Sequence, residues 1–148
     1  MSKWEMVRLG DVCQVISGST PSTHKPELWD GKIKWVTPAE LSEESYFIYD
    51  TERHISEKAG LNTMPAGTVL LSSRAPIGKV AIAGEPMCCN QGFKNLMCSK
   101  SIHNRYLYRY LKNQTKYLNS LGHGATFKEI SKSIVENILY PYRLCTSN

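Results

Sequence analysis

The sequence predicts an α+β fold, a single domain with a mixed, mostly antiparallel β core and a pair of helices near its C-terminal end. Two observations carry this. Short apolar segments separated by Gly/Pro turns fill the middle of the chain, and the long helical periodicity begins at Arg105. A third sets the scale: 148 residues, 41% hydrophobic and 21% charged, are enough for one core and too apolar for disorder.

Each element has its own signal. Trp4–Val12 carries apolar residues at positions 4, 6, 7, 9 and 12, the pattern of an extended segment entering a helical turn. Gln14–Ser17 reads as a strand, and Gly18-Ser19-Thr20-Pro21-Ser22 opens a polar loop that runs to Gly31. Lys32–Val36 alternates as a strand. Thr37-Pro38-Ala39-Glu40 then combines an N-cap, a first-turn proline and a capping-box acid. Tyr46–Tyr49 is expected as a strand and Ile55–Leu61 as a helical turn ended by Gly60. Thr68–Ser72 and Lys79–Ala83 are strands joined by the turn Arg74–Gly78, and Phe93–Cys98 is a further strand. Arg105–Leu121 is expected as one helix, because Leu107, Leu111, Leu118 and Leu121 share a face and Gly122 suits its stop. A second helix is expected to open at the capping box Thr126-Phe127-Lys128-Glu129, with Ile130, Ile134 and Val135 at core spacing. Asn137–Tyr140 closes the fold as a strand before Pro141.

Charge is unevenly distributed. Residues 1–57 hold 6 Lys/Arg against 10 Asp/Glu, whereas residues 58–128 hold 10 against the single acid Glu85. Such a block suits a polyanionic partner, and equally a surface whose counter-charges come from the acidic N-terminal part. Arg105, Arg109, Lys112 and Lys116 are spaced 4, 3 and 4, one stripe opposite the leucines. The stripe fits phosphate neutralisation and also an ordinary solvated helix face. In the loop, Ser19, Thr20, Ser22, His24, Lys25, Lys32 and Lys34 supply hydroxyls and cations able to reach base edges and phosphates. Gln91 and Lys94, in Asn90-Gln91-Gly92-Phe93-Lys94, offer an amide beside a cation, and Lys79 flanks the Arg74–Gly78 turn.

Catalysis finds little support. The five cysteines, Cys13, Cys88, Cys89, Cys98 and Cys145, are an odd and scattered set, so reduced thiols are expected. Cys88, Cys89, Cys98 and His103 lack the close pair spacing of zinc ligands. Phosphate-loop, dinucleotide-binding, hydrolase-elbow and zincin motifs are missing. The expectations are no enzyme activity, no cofactor and no metal. No apolar run approaches the ~18 residues of a membrane span, and the N-terminus lacks a signal-peptide pattern, so the expected location is cytoplasmic.

The ordered motifs also carry a family likeness. Trp4–Val12 is followed by Ser17-Gly18-Ser19-Thr20-Pro21, by Trp29-Asp30-Gly31-Lys32-Ile33-Lys34-Trp35-Val36-Thr37-Pro38-Ala39-Glu40-Leu41, and by Pro65–Gly78. Asn90-Gln91-Gly92-Phe93-Lys94 and Gly124-Ala125-Thr126-Phe127 complete the series. Together, from Trp4 to Pro141, they resemble the target-recognition domain of a type I restriction–modification specificity subunit. The resemblance implies recognition of one half of a bipartite duplex DNA target without catalysis. Adenine methylation and cleavage would fall to the modification (methyltransferase) and restriction subunits as partners. It further implies that the Arg74–Gly78 and Gly124–Phe127 motifs are framework. Base contacts would then come from Ser19–Lys34 and from Tyr46–His54, including Tyr46, Arg53 and His54, with Lys79 and Lys94 on phosphate.

One departure is expected to matter. The family's domain leads through a Pro-rich junction into a spacer helix, whereas here residues 142–148 read as a short tail after a domain spanning 1–141. Pairing with a second half-subunit or self-association is one expectation. The alternative function is a protein-interaction module that binds the methyltransferase subunit without productive DNA binding.

Overall fold

The computed structural model describes residues 2–100, 102–122 and 128–145. In chain order they form β1 (Ser2–Arg8), α1 (Leu9–Val12), β2 (Cys13–Ser17), β3 (Ile33–Val36), β4 (Phe47–Ile48), β5 (Arg53–Ile55), β6 (Val69–Leu71), β7 (Val80–Ala83), β8 (Met87–Cys89), β9 (Lys94–Cys98), α2 (Asn104–Lys112), α3 (Thr115–Ser120), α4 (Lys132–Glu136) and β10 (Leu139–Cys145). Three sheets result: a five-stranded sheet in the order β2-β9-β6-β7-β4, a three-stranded sheet β5-β3-β8, and the ribbon β1-β10. Only β3–β8 and β4–β7 are parallel, so the sheets are mixed and mostly antiparallel, as the sequence predicts. No helix of the described residues is long and apolar enough to cross a membrane.

Strand alternation sets the layers. On β6 and β7, Val69, Leu71, Val80 and Ile82 face one core with Leu9, Leu107, Leu111, Leu118, Ile130 and Val135. Leu70, Ala81 and Ala83 face the other way, onto Val36, Met87, Cys89 and Phe93. The helices therefore cover one side of the five-stranded sheet and the three-stranded sheet covers the other. On the outer face of the small sheet, Trp35, Ile55 and Cys88 form a third cluster with Trp29, Ile33, Ala59 and Leu61. That cluster lies under the polar loop.

The predicted start at Thr37 is present as a 3-10 turn, Pro38–Glu40. Thr37 donates its backbone N–H and its hydroxyl to the Glu40 carboxylate at 2.7 and 2.9 Å. The other oxygen of Glu40 accepts from the N–H of Glu52 at 2.9 Å, so the acid also anchors the segment leading into β5.

Several expectations are corrected. The single helix Arg105–Leu121 is two helices, broken at Asn113–Gln114. Thr115 donates its hydroxyl to the carbonyl of Lys112, and Asn119 donates its amide to the carbonyl of Ile77. The first bond competes with the helix backbone at the break and the second ties α3 to the 74–78 turn, while Leu107, Leu111 and Leu118 stay fully buried. Ile55 belongs to β5 rather than to a helical turn; the turn is Glu57–Ala59, closed by Gly60 at φ 70°. The second helix begins not at residue 126 but after Ser131, whose hydroxyl accepts from the N–H of Ile134 at 3.1 Å. Thr126 lies outside the described residues. The last strand does not stop at Pro141: β10 pairs with β1 from Arg8↔Leu139 to Ser2↔Cys145. A two-stranded ribbon leaves each strand an unpaired edge, which is where a proline can sit without removing a ladder bond.

Glu129 has different work from a helix cap. Its carboxylate holds the ammonium of Lys94 at 3.1 Å and the guanidinium of Arg74 at 3.3 Å. Lys94 is only 7% exposed and also donates to the Ser73 hydroxyl at 3.3 Å. Partial burial opposes ionisation of Glu129, but the hydrogen bond and charge of Lys94, with Arg74 beside it, hold its carboxyl below the ordinary 4.5. A depressed carboxylate stabilises the fold above its unfolded value and loses that stabilisation as pH falls through its folded value. Glu129→Gln is expected to lower stability at neutral pH by about 1–3 kcal/mol, because a buried ammonium loses its counter-charge. Urea melts at pH 7 and pH 3 check this: the gap between variant and parent should shrink at the lower pH.

Candidate nucleic-acid interface

The polar loop after β2 is fastened to the small sheet by two indoles. Trp35 donates its Nε1–H to the carbonyl of Ser19, and Trp29 donates its own to the carbonyl of Ser22, each at 2.9 Å. The two rings meet edge to face with centroids 4.8 Å apart. At the root of the loop, the N–H of Gly18 reaches the carbonyl of Phe93 and the N–H of Ser19 that of Cys89. Thr20 hydrogen-bonds Gln91 through Oε1, which joins the loop to the Asn90–Lys94 segment.

Antiparallel pairing of β3 with β5 brings the second predicted segment alongside, with Trp35 opposite Arg53 and Lys34 opposite His54. Alternation then separates neighbours. Arg53 lies on the outer, tryptophan-bearing face, its guanidinium 3.8 Å from the centroid of the Trp29 ring and 5.6 Å from that of Trp35. Lys34 and His54 lie on the other face and each meets an acid: Lys34 bonds Glu85 at 3.4 Å and His54 bonds Asp50 at 3.0 Å. The His54 hydrogen bond, with the Thr51 N–H, holds the Asp50 carboxyl below its usual range.

Of the sequence-predicted residues, the structure thus brings Ser19, Thr20, Ser22, Arg53 and Gln91 together around the indole-fastened loop; His24, Lys25 and Lys32 belong to the same loop segment, and all eight are exposed. Others go elsewhere, for identifiable reasons. Tyr46 is half-buried, its ring tilted against those of Phe47 and Tyr108 at centroid distances of 4.8 Å, on the helical side and apart from the loop. Lys94 is buried on Glu129 and is withdrawn from the phosphate set. Lys79 pairs with Glu43 at 3.8 Å and shares a cleft with Lys112 and Thr115, away from the loop.

The cationic stripe is also redistributed. Arg105, Arg109 and Lys112 lie on α2 and Lys116 on α3, so the helix break interrupts the predicted continuous row. All four are exposed. They flank the helical core, whereas the loop lies beyond the small sheet on the opposite side of the five-stranded sheet.

Sequence reasoning missed the two tryptophans as organisers of the loop. Their signal was two large aromatic residues close to a polar, glycine-containing segment, a costly composition unless the rings are packed. It also missed a cleft of about 850 Å³ beside Asn90, floored by Pro38 and Pro76 and edged by Arg74 and Lys128. The cysteines are distributed by the strands. Cys88 and Cys89 point to opposite faces of β8, and burial pushes both thiols up. Cys13 and Cys98 face one another across β2–β9 with sulfurs 4.0 Å apart. His103 caps α2, its Nδ1 accepting from the N–H of Arg105 at 3.3 Å.

Residues 1–141 match the family model of the type I restriction modification DNA specificity domain. The chain belongs to this family. Among its specificity-subunit relatives, the MjaIX subunit of Methanocaldococcus jannaschii is 42% identical over 146 residues, covering 94% of this chain and 34% of that protein. The HindI specificity subunit of Haemophilus influenzae is 27% identical over 83% of this chain and 28% of its own length. A solved chain from work on complex assembly and conformational transition of a type I R-M system superposes with a TM-score of 0.77. It is 26% identical and covers 94% of this chain and 34% of that one. The HsdS subunit from Thermoanaerobacter tengcongensis shares the fold with the same TM-score of 0.77 at 24% identity, over 94% of this chain and 33% of that one. This specificity-domain chain spans about a third of the length of these relatives.

Proposed function

We propose that this domain recognises duplex DNA, reading one half of a bipartite target within a type I specificity subunit. Methyl transfer to adenine and strand cleavage then belong to the modification and restriction subunits that share the complex, and the domain moves no bond itself. The observation that carries this reading is the indole-fastened loop. It is an exposed segment rich in hydroxyl, imidazole and cationic side chains, tied to Gln91 and flanked by Arg53, in a chain that matches the specificity-domain model along 1–141. Ser19, Thr20, Ser22, His24 and Gln91 supply donors and acceptors for base edges, and Lys25 and Lys32 supply phosphate contacts. The stripe residues Arg105, Arg109, Lys112 and Lys116 are a second phosphate-contacting set, available to a different stretch of nucleic acid because the main sheet stands between them and the loop.

The test is binding of the full chain to a mixed-sequence duplex across a salt series. Affinity is expected to fall steeply with salt, and Lys25→Gln with Lys32→Gln should reduce the log–log slope by about 2, close to one for each phosphate that is no longer neutralised. An unchanged slope in that double variant would remove these lysines from the interface. Absence of binding at low salt would favour the protein-interaction alternative.

A further inference from the structure

We infer that Arg53 reads a guanine from the major groove, and that Trp29 is the positioning residue that aims it. This rests on the DNA-recognition reading above and makes it specific.

Three features prepare this arginine for planar, in-plane recognition. The backbone is fixed first: Arg53 pairs with Trp35 across β3–β5, and its carbonyl accepts from the hydroxyl of the buried Thr51 at 2.7 Å. The same hydroxyl accepts from the N–H of Trp35 at 3.1 Å, so sliding β5 along β3 would break this inter-strand bond. Stacking then fixes the side chain. The guanidinium lies 3.8 Å from the Trp29 ring centroid, and that ring is held by its own bond to Ser22 and by the edge contact with Trp35. Finally, the donors are left unused. Among the described residues no carboxylate or carbonyl pairs with the Arg53 guanidinium, although Asp50 and Glu52 are close in sequence and Asp50 is taken by His54.

A guanidinium lying flat over the indole would contact it by one face and keep its N–H edge open. An edge-on fork of two parallel donors matches two acceptors lying in one plane, as guanine O6 and N7 do. Lys25 and Lys32, exposed in the loop segment, carry flexible point charges of the kind that suits phosphate without such aiming. Pre-ordering by the indole also lowers the side-chain entropy lost on binding.

The test uses the full chain and a duplex library with a randomised core. The parent is expected to select a motif containing a required G·C pair. Arg53→Lys, which keeps the charge and loses the fork, should lose preference at that one position by roughly tenfold to a hundredfold while the other positions persist. Replacing that guanine by 7-deazaguanine should weaken the parent and leave Arg53→Lys unaffected, a readout independent of folding. Trp29→Leu should blur the same position, and Trp29→Phe should restore part of it. An unchanged motif in Arg53→Lys, or an Arg53→Ala effect that is uniform across sequences with a salt slope lower by about 1, overturns the inference and leaves DNA recognition standing. A parent that selects no sequence at all overturns both.

Discussion

Gly18→Ala is expected to unseat the loop after β2 and to destabilise the whole domain by about 3 kcal/mol. A Cβ at this position would overlap the backbone carbonyls of Cys89 and Asn90, neither of which can swing away as a flexible side chain would. Gly18 sits where the end of β2 passes the end of β8, and its N–H is bonded to Phe93 while that of Ser19 is bonded to Cys89. Relief of the clash therefore moves the loop root, and with it the carbonyl of Ser19 that holds the Trp35 indole. Chemical denaturation gives the loss of stability. Sequence selection at a concentration where the variant stays folded gives the loss of function. A variant with parental stability and an unchanged motif would show that the close approach at Gly18 is not what positions the loop.

The other large effect is expected at Phe93. Its ring is fully buried between the five-stranded and three-stranded sheets, among Val36, Leu70, Met87 and Cys89. Truncation to alanine removes the transfer contribution and leaves a cavity, about 3–5 kcal/mol in all. For a domain of this size that is a drop of roughly 10–15 °C in Tm. Because the carbonyl of Phe93 accepts from Gly18 and the two residues share one junction, the double variant should not show additive losses. Thermal melts of the two single variants and the double variant check both points. A fall in Tm of only a few degrees for Phe93→Ala would mean that the inter-sheet core collapses to fill the space.

Local signals in the sequence were legible where a few neighbouring residues decide the outcome. The Thr37–Glu40 turn, strands at 69–71, 80–83 and 94–98, and the buried faces of Leu107, Leu111 and Leu118 all follow from capping chemistry or periodicity. What escaped was decided across the fold. Strand β8, Met-Cys-Cys, lacks β-branched residues and is buried throughout, so no alternation marks it. Its parallel pairing with β3 is a non-local choice that no local segment encodes.

The same distinction divides the candidate site. Hydroxyls and cations in residues 19–34 are visible as a polar loop, and Trp29 within it and Trp35 beside it are visible as large aromatics, but the carbonyls that their indoles hold, those of Ser22 and Ser19, are set by the tertiary packing. Lys94 reads as a surface cation in Asn-Gln-Gly-Phe-Lys, yet strand pairing buries it and Glu129 arrives from a distant segment to neutralise it. Glu43 meets Lys79 in the same way. Part of the basic block is therefore balanced by acids outside it, which a count along the chain cannot reveal. Arg53 and His54 are neighbours in sequence and point to opposite faces, so only one of them shares a surface with the loop.

In the proposed function, DNA meets this domain on the loop face of the small sheet. Amide hydrogen exchange of the full chain, with and without a duplex selected from a randomised library, maps that face. Slowed exchange is expected in peptides covering 18–34, 51–55 and 90–92, with the ribbon β1–β10 unchanged. Protection confined to that ribbon, or to the segments of α2 and α3 alone, would contradict it and move the interface to the other side of the five-stranded sheet.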